Sequence, residues 1–265
     1  MRNRVFFIAT RVLAVAISAV FILVILYLLY KGFKYFSLDL FSSELLAPLS
    51  GTIALIFMSV IIALPLGIAS AIYIEFYAPK RVKGFLDFSF DILASVPSII
   101  MGLFGFAILL GLHALFSEVK SSLLLASLSV AFLILPYITK SAQLGFRDVL
   151  PIYKSIGYSL GATKEQLIKK IVLPFAKEHI LKGVLLSVAR ASEDTAVIML
   201  TGVVASYGMV DGLLKPFEAL PFFIYYTSAN YASGQEFNAI YVAVLMLLGL
   251  SFSIILLLRG KFWLR

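Results

Sequence analysis

The chain has 265 residues, of which 62% are hydrophobic and 14% are charged. Soluble domains average about 45–50% apolar and about 25% charged residues, so this composition excludes an ordinary soluble enzyme and indicates a polytopic membrane protein. The net charge of +8 is compatible with either nucleic-acid binding or basic cytoplasmic loops. The absence of cysteine excludes disulfides and thiol chemistry.

Six apolar stretches are long enough to cross a bilayer, which takes about 20 residues of helix. The first stretch is too long for a signal peptide and ends without a small-residue cleavage site, so we interpret it as an uncleaved helix. We therefore predict a single all-α transmembrane domain over residues 1–265. Its six spanning helices are expected at residues 12–30, 50–74, 92–112, 121–139, 183–207 and 237–258.

The basic residues orient these six spans. Seventeen of the 22 Lys and Arg residues fall on the side of both termini, four fall on the other side, and Arg190 lies within a span. Cytoplasmic loops collect Lys and Arg, so both termini are predicted to be cytoplasmic. The bases are spread over several loops and form no clustered basic face, which argues against nucleic-acid binding and for a lipid bilayer as the surroundings.

The loop between the fourth and fifth spans, residues 140–182, has the pattern helix, break, helix. Gly161 suits the left-handed position that ends a helix, and Thr163 with Gln166 predicts a capping box. Pro174 is predicted to end this second, short amphipathic helix. This helix could lie on lipid headgroups or dock in a groove of a soluble partner. Its apolar face is formed by Leu167, Ile168, Ile171 and Val172.

The fifth span contains Arg190, Glu193 and Asp194. A charge inside a span costs at least about 2.5–3.5 kcal/mol, so such a cluster is a candidate functional site. Glu193 and Asp194 stand three and four residues after Arg190, and either can reach it on one helix face. The cluster is either a self-neutralising pair that fixes helix packing, or a site where Arg190 binds an oxyanion and the acids hold it in place.

Motifs for catalysis and for nucleotide binding are absent from the sequence. There is no G-x-x-x-x-G-K-[ST] phosphate loop, no H-E-x-x-H and no G-x-S-x-G. We therefore expect a non-catalytic membrane subunit that needs no cofactor or metal and takes any energy it uses from a partner.

Several segments resemble permeases of ABC importers. Residues 160–162, Leu-Gly-Ala, and the later Leu173-Pro174 resemble the EAA loop of these permeases, although Ser155-Ile156-Gly157 stands where Glu-Ala-Ala is usual. Residues 91–105, 189–202 and 219–236 resemble signatures of phosphate-transport permeases of the PstA type, which have a MetI-like fold. The resemblance runs from about Gly51 to the C-terminus.

This resemblance implies a location and a set of partners. The chain would be a multi-pass permease of a prokaryotic plasma (inner) membrane, paired with a second permease subunit. Two copies of a cytoplasmic ATPase subunit and an external substrate-binding protein would complete the importer. The residues expected to form the ATPase coupling loop are Gly157, Leu160, Gly161, Ala162, Thr163, Leu167, Ile168, Ile171, Leu173 and Pro174.

The resemblance also implies the substrate, inorganic phosphate. Arg190 occupies the place of the family's fifth-span Arg, while Lys140 and Gln143 stand where Arg-x-x-Glu is usual at the end of the fourth span. The altered positions leave other oxyanions open, namely sulfate, molybdate and tungstate. An ion-driven secondary transporter is a second possibility, although the sequence shows none of its usual inverted repeats. The expected pathway residues are Arg190, Glu193, Asp194, Lys140 and Gln143.

Overall fold

The computed structural model describes residues 2–116 and 120–263, and these residues are almost entirely helical. Three π-helical turns, Phe41–Leu45, Tyr73–Tyr77 and Ile168–Val172, interrupt the α-helices. The α-helices are α1 (Arg2–Tyr35), α2 (Leu38–Leu40), α3 (Leu46–Ile72), α4 (Lys80–Ser95), α5 (Ser98–Leu115), α6 (Leu123–Ser159), α7 (Lys164–Leu167), α8 (Leu173–Glu193), α9 (Ala196–Thr201), α10 (Leu220–Asn230) and α11 (Gly234–Trp263).

Five helical stretches of the described chain are long and apolar enough to cross a membrane. They confirm the predicted class, an all-α polytopic membrane protein, because each gathers enough apolar residues for the hydrocarbon core. These stretches are Ala9–Tyr35, Leu38–Tyr77, Ser98–Leu115, Leu123–Ser159 and Gly234–Ile254.

The stretch expected at residues 183–207 is not one continuous helix. Helix α8 ends at Glu193, the backbone of Asp194 is extended, and α9 adds only the six residues Ala196–Thr201. The polar residues at this point open the helix, and the chain then runs through an irregular segment to α10. The prediction of a continuous spanning helix here is wrong, while the total of six crossings and the common side of the termini stay predictions.

Two other helix boundaries differ from the predicted ones. Residue 92 lies inside α4, and the chain breaks at Val96, whose extended backbone is the conformation that the following Pro97 favours. Helix α6 does not end near residue 139 but continues to Ser159. The first half of the predicted loop 140–182 is therefore a direct extension of the fourth spanning helix.

Helix α6 lies at the centre of the fold, between α3 and α8. Its Ile134 and Ile138 are fully buried together with Ala63 of α3 and Ala191 of α8. Helix α8 approaches α6 closely at Gly183, where an added Cβ would lie 2.7 Å from the Cβ of Ser141. This packing fixes the positions of the polar side chains that α6 and α8 carry.

Candidate functional site

The break between α8 and α9 is organised by Asp194, whose side chain is almost fully buried. Its Oδ1 accepts a hydrogen bond of 2.8 Å from the backbone N–H of Val197, in the first turn of α9. Its Oδ2 lies 3.5 Å from a terminal nitrogen of Arg190. One carboxylate thus satisfies a free helix N–H and neutralises the charge inside the predicted fifth span.

The contact with Asp194 engages only one terminal nitrogen of the Arg190 guanidinium. About a third of its side chain is exposed, at 35%, yet its Nε is buried and has no hydrogen-bond partner among the described residues. A buried unpaired donor costs about 1–3 kcal/mol, so the Nε of Arg190 is a candidate for contact with a ligand. The planar guanidinium suits bidentate recognition of an oxyanion. Glu193, which could also reach Arg190 by its spacing, is exposed.

Lys140 and Gln143 occupy a different polar cluster, on the face of α6 that meets α4. Lys140 Nζ lies 2.8 Å from Asp91 Oδ1 and donates a hydrogen bond of 2.9 Å to the backbone carbonyl of Asp87. Gln143 Nε2 donates to Asp87 Oδ1 at 2.8 Å, and its buried Oε1 has no donor among the described residues. Both side chains thus connect α6 to the carboxylates of α4.

The same cluster extends to the π-helical turn after α3 through Glu75, whose side chain is 3% exposed. Arg147 Nε donates a 2.8 Å hydrogen bond to Glu75 Oε1, and a terminal nitrogen of Arg147 lies 3.2 Å from Asp87 Oδ2. Lys83 Nζ lies 2.5 Å from Glu75 Oε2. We call this set the α4–α6 polar cluster: Glu75, Lys83, Asp87, Asp91, Lys140, Gln143 and Arg147.

The predicted pathway residues are therefore divided between two places. Arg190 pairs with Asp194 at the α8–α9 break, and Lys140 and Gln143 belong to the α4–α6 polar cluster. Among the described residues no hydrogen bond or ion pair joins Arg190 to Lys140 or Gln143. Asp87 and Asp91 were not among the site residues predicted from the sequence. The available signal was their spacing of four residues together with the polar residues Lys140, Gln143 and Arg147 at spacings of three and four.

The turn between α6 and α7 has the local geometry that the sequence predicts. Gly161 has φ +76°, the left-handed conformation expected after a helix end. The Thr163 backbone N–H donates to Gln166 Oε1 at 2.9 Å, and Gln166 N–H donates to Thr163 Oγ1 at 3.3 Å. The predicted capping box is thus confirmed.

Pro174 was predicted to end the short helix, and this prediction is wrong. Pro174 lies in the first turn of α8. The preceding turn, Ile168–Val172, is π-helical. A proline lacks an N–H donor and its ring clashes with the preceding helical turn, and here that preceding turn has π-helical instead of α-helical geometry. The predicted short helix therefore runs on into α8 instead of standing alone.

The apolar face of this segment points into the protein. Leu167 and Val172 are buried against Phe146 and Val149 of α6. Gly157 of α6 allows this contact, since an added Cβ would lie 2.7 Å from Leu167 Cδ1. Most of this face is therefore not available to lipid headgroups or to a partner in the present conformation, while docking of the helix itself on a soluble partner stays a prediction.

A different apolar surface is exposed at the end of α6. Ile152, Ile156 and Leu160 follow each other at four-residue spacing and are 60%, 52% and 82% exposed. They share one side of the helix and end at the turn that contains Gly161. We call them the α6 apolar stripe. Of the predicted coupling residues, Leu160 is the large apolar side chain most available to a partner.

Comparison with known proteins identifies the group to which this architecture belongs. Residues 63–260 match the family described as binding-protein-dependent transport system inner membrane component. The chain belongs to this permease family. The match includes α6, the turn at Gly161 and the α8–α9 break.

Relatives of the permease carry names from phosphate transport. The chain is 31% identical over 183 residues to the phosphate transport system permease protein PstA 1 of Mycobacterium tuberculosis, an alignment that covers 69% of this chain and 59% of that protein. It is 31% identical over 215 residues to the PstA of Mycobacterium leprae, covering 80% and 66%. The probable PstA of Methanocaldococcus jannaschii is 29% identical over 175 residues, covering 66% and 60%. The permease thus spans about three-fifths of the length of these relatives.

Solved structures support the fold of the permease. A chain of the inward-facing MetNI methionine ABC transporter superposes with a TM-score of 0.58 at 15% identity, covering 84% of this chain and 96% of that chain. An amino acid ABC transporter crystallised with histidines gives 0.58 at 16%, covering 84% and 92%. At this identity the likeness concerns the fold alone.

Proposed function

We propose that this permease carries inorganic phosphate into the cell as the membrane subunit of an ATP-driven importer. Arg190 is the observation that carries the proposal, because its buried Nε is unpaired among the described residues and its guanidinium is partly open. The names of the relatives, which refer to phosphate transport, support phosphate as the anion. The chain would act without catalysis or cofactor, in the plasma membrane of a prokaryote.

The importer would use Asp194 to hold Arg190 ready between rounds of transport. An incoming phosphate offers oxygens to the guanidinium with the same geometry as the carboxylate, so the anion and Asp194 compete for it. When the anion leaves, the Asp194 contact re-forms. Lys140 and Gln143 would enter the pathway only if the α4–α6 polar cluster opens, because their donors are engaged with Asp87 and Asp91.

Coupling to ATP would occur at the turn around Gly161. The α6 apolar stripe ends at this turn and gives a soluble ATPase subunit an exposed apolar contact. Helix α6 runs from there into the core against α3 and α8, so a displacement of the turn is carried into the spanning helices. A second permease, two ATPase copies and an external binding protein complete the proposed assembly.

Uptake of labelled phosphate by cells that express Arg190 variants tests the substrate and the role of Arg190. We expect R190A to abolish uptake and R190K to retain a small part of it, because Lys keeps the charge but not the planar pair of donors. Competition by sulfate, molybdate and tungstate tests the alternative anions. Unchanged phosphate uptake by normally expressed R190A would refute the role of Arg190 in binding the anion. Strong competition by molybdate or sulfate would identify that anion as the substrate in place of phosphate.

A further inference from the structure

Helix α4 (Lys80–Ser95) has two faces of different chemistry. One face carries Lys83, Asp87 and Asp91, spaced four residues apart, and these belong to the α4–α6 polar cluster. No residue of α4 is fully buried, so polar contacts contribute much of its attachment to α6. This face is therefore occupied by the protein itself.

The opposite face is apolar and exposed. Val82, Phe85, Phe88 and Ile92 are 39%, 68%, 63% and 47% exposed. At about 100° per residue these four side chains fall within an arc of about 120°, centred roughly 145° away from the carboxylates. Two exposed phenylalanines on one side of a charged helix are unfavourable in water, so something apolar covers this face.

The position of α4 in the chain indicates what covers it. The helix follows the spanning stretch Leu38–Tyr77 directly and precedes the spanning helix α5, with only Val96 and Pro97 between. The first turns of α5 expose Ile99, Ile100 and Leu103, so large apolar side chains are exposed on both sides of the break at Val96 and Pro97. A helix that is joined by only two residues to a spanning stretch at each end is held close to the bilayer.

The charges of α4 agree with this position. Lys80 and Arg81 are exposed at its N-terminal end, and Arg81 falls on the same side as Phe85 and Phe88. Bases in a first helical turn oppose the helix dipole and destabilise the helix, so helix stability does not explain them. Anionic lipid headgroups do explain them, because each base near such a surface is attracted to it.

We propose that α4 is an interfacial helix that binds the boundary between acyl chains and anionic headgroups of one leaflet, with Phe85 and Phe88 in the acyl region. Lys80 and Arg81 contact the headgroups of that leaflet, which the distribution of bases predicts to be the cytoplasmic one. The carboxylates of α4 are thereby held at membrane level beside Lys140. The inference rests on the membrane fold and is independent of the transported anion.

Quenching of tryptophan fluorescence by brominated lipids tests this proposal. The chain has a single tryptophan, Trp263, so W263F removes the emission of this chain, and the remaining emission of the W263F assembly is subtracted from that of each variant. F88W places the probe on the apolar face of α4, F57W places it on an exposed position of α3, and L160W places it at the exposed turn. Each full-length variant is copurified with its partner subunits and reconstituted with phosphatidylcholine brominated in the upper acyl chain.

We expect F88W to lose emission about as strongly as F57W, while L160W keeps its emission. Quenching of F57W without quenching of F88W would overturn the proposal and assign the α4 face to another protein subunit. Vesicles that contain phosphatidylglycerol should increase the quenching of F88W over pure phosphatidylcholine, and K80Q/R81Q should remove that increase. Equal quenching of F88W in both lipids would refute the role of the anionic headgroups.

Discussion

Because the apolar face of the segment after Gly161 points into the protein, we predict that truncation of Leu167 lowers the stability of the fold. The Leu167 side chain is 1% exposed and packs in a cluster with Phe146 and Val149. Its removal by L167A deletes buried methyl groups and leaves a cavity, and such changes cost about 2–5 kcal/mol. The cavity cannot collapse easily, because its walls belong to two helices that are fixed by other contacts.

The matched control is L160A, which removes the same side chain from a position that is 82% exposed. Thermal unfolding of the detergent-solubilised full-length chain, followed by circular dichroism, should show a clear loss of stability for L167A and almost none for L160A. In the assembled transporter, L160A should weaken transport-coupled ATP hydrolysis although it leaves the fold intact. Normal unfolding of L167A together with destabilisation of L160A would refute the inward orientation.

Three further changes test the packing, the cap and the polar cluster, each by thermal unfolding of the full-length chain. G183V should lower stability by about 1–3 kcal/mol, because a side chain there meets Ser141, and G183A should cost less; equal stability of both would contradict the close contact of α8 with α6. T163A should cost about 0.5–2 kcal/mol by removing the cap at the start of α7, and T163S should restore it; a loss of the same size in T163S would argue against the cap. R147A should cost about 1–3 kcal/mol because the buried carboxylate of Glu75 loses one of its two basic partners. E75Q should reduce that cost in the double variant, and strict additivity would show that the two side chains do not interact.

Local features were predictable from the sequence because neighbouring residues determine them. The capping box of Thr163 with Gln166 and the left-handed Gly161 follow from side-chain chemistry within a few residues. The all-α membrane class follows from composition alone.

The features that were missed depend on residues far apart in the chain. The amphipathic pattern of Leu167 and Val172 indicates a buried face but not which surface buries it, and only the extension of α6 to Ser159 reveals the partner. Glu75 and Arg147 are 72 residues apart, so no local pattern joins them. The break at Asp194 was missed because the hydrophobic run continues across it, while a single buried carboxylate opens the helix.

The central claim is that this permease moves phosphate with energy from ATP. The most direct test is phosphate accumulation in proteoliposomes that hold the assembled transporter, with its binding protein outside and ATP enclosed on the side of the ATPase. We predict accumulation with enclosed ATP, none with an ion gradient in its place, and none for R190A under either condition. Accumulation driven by an ion gradient without ATP would contradict the account and favour a secondary transporter.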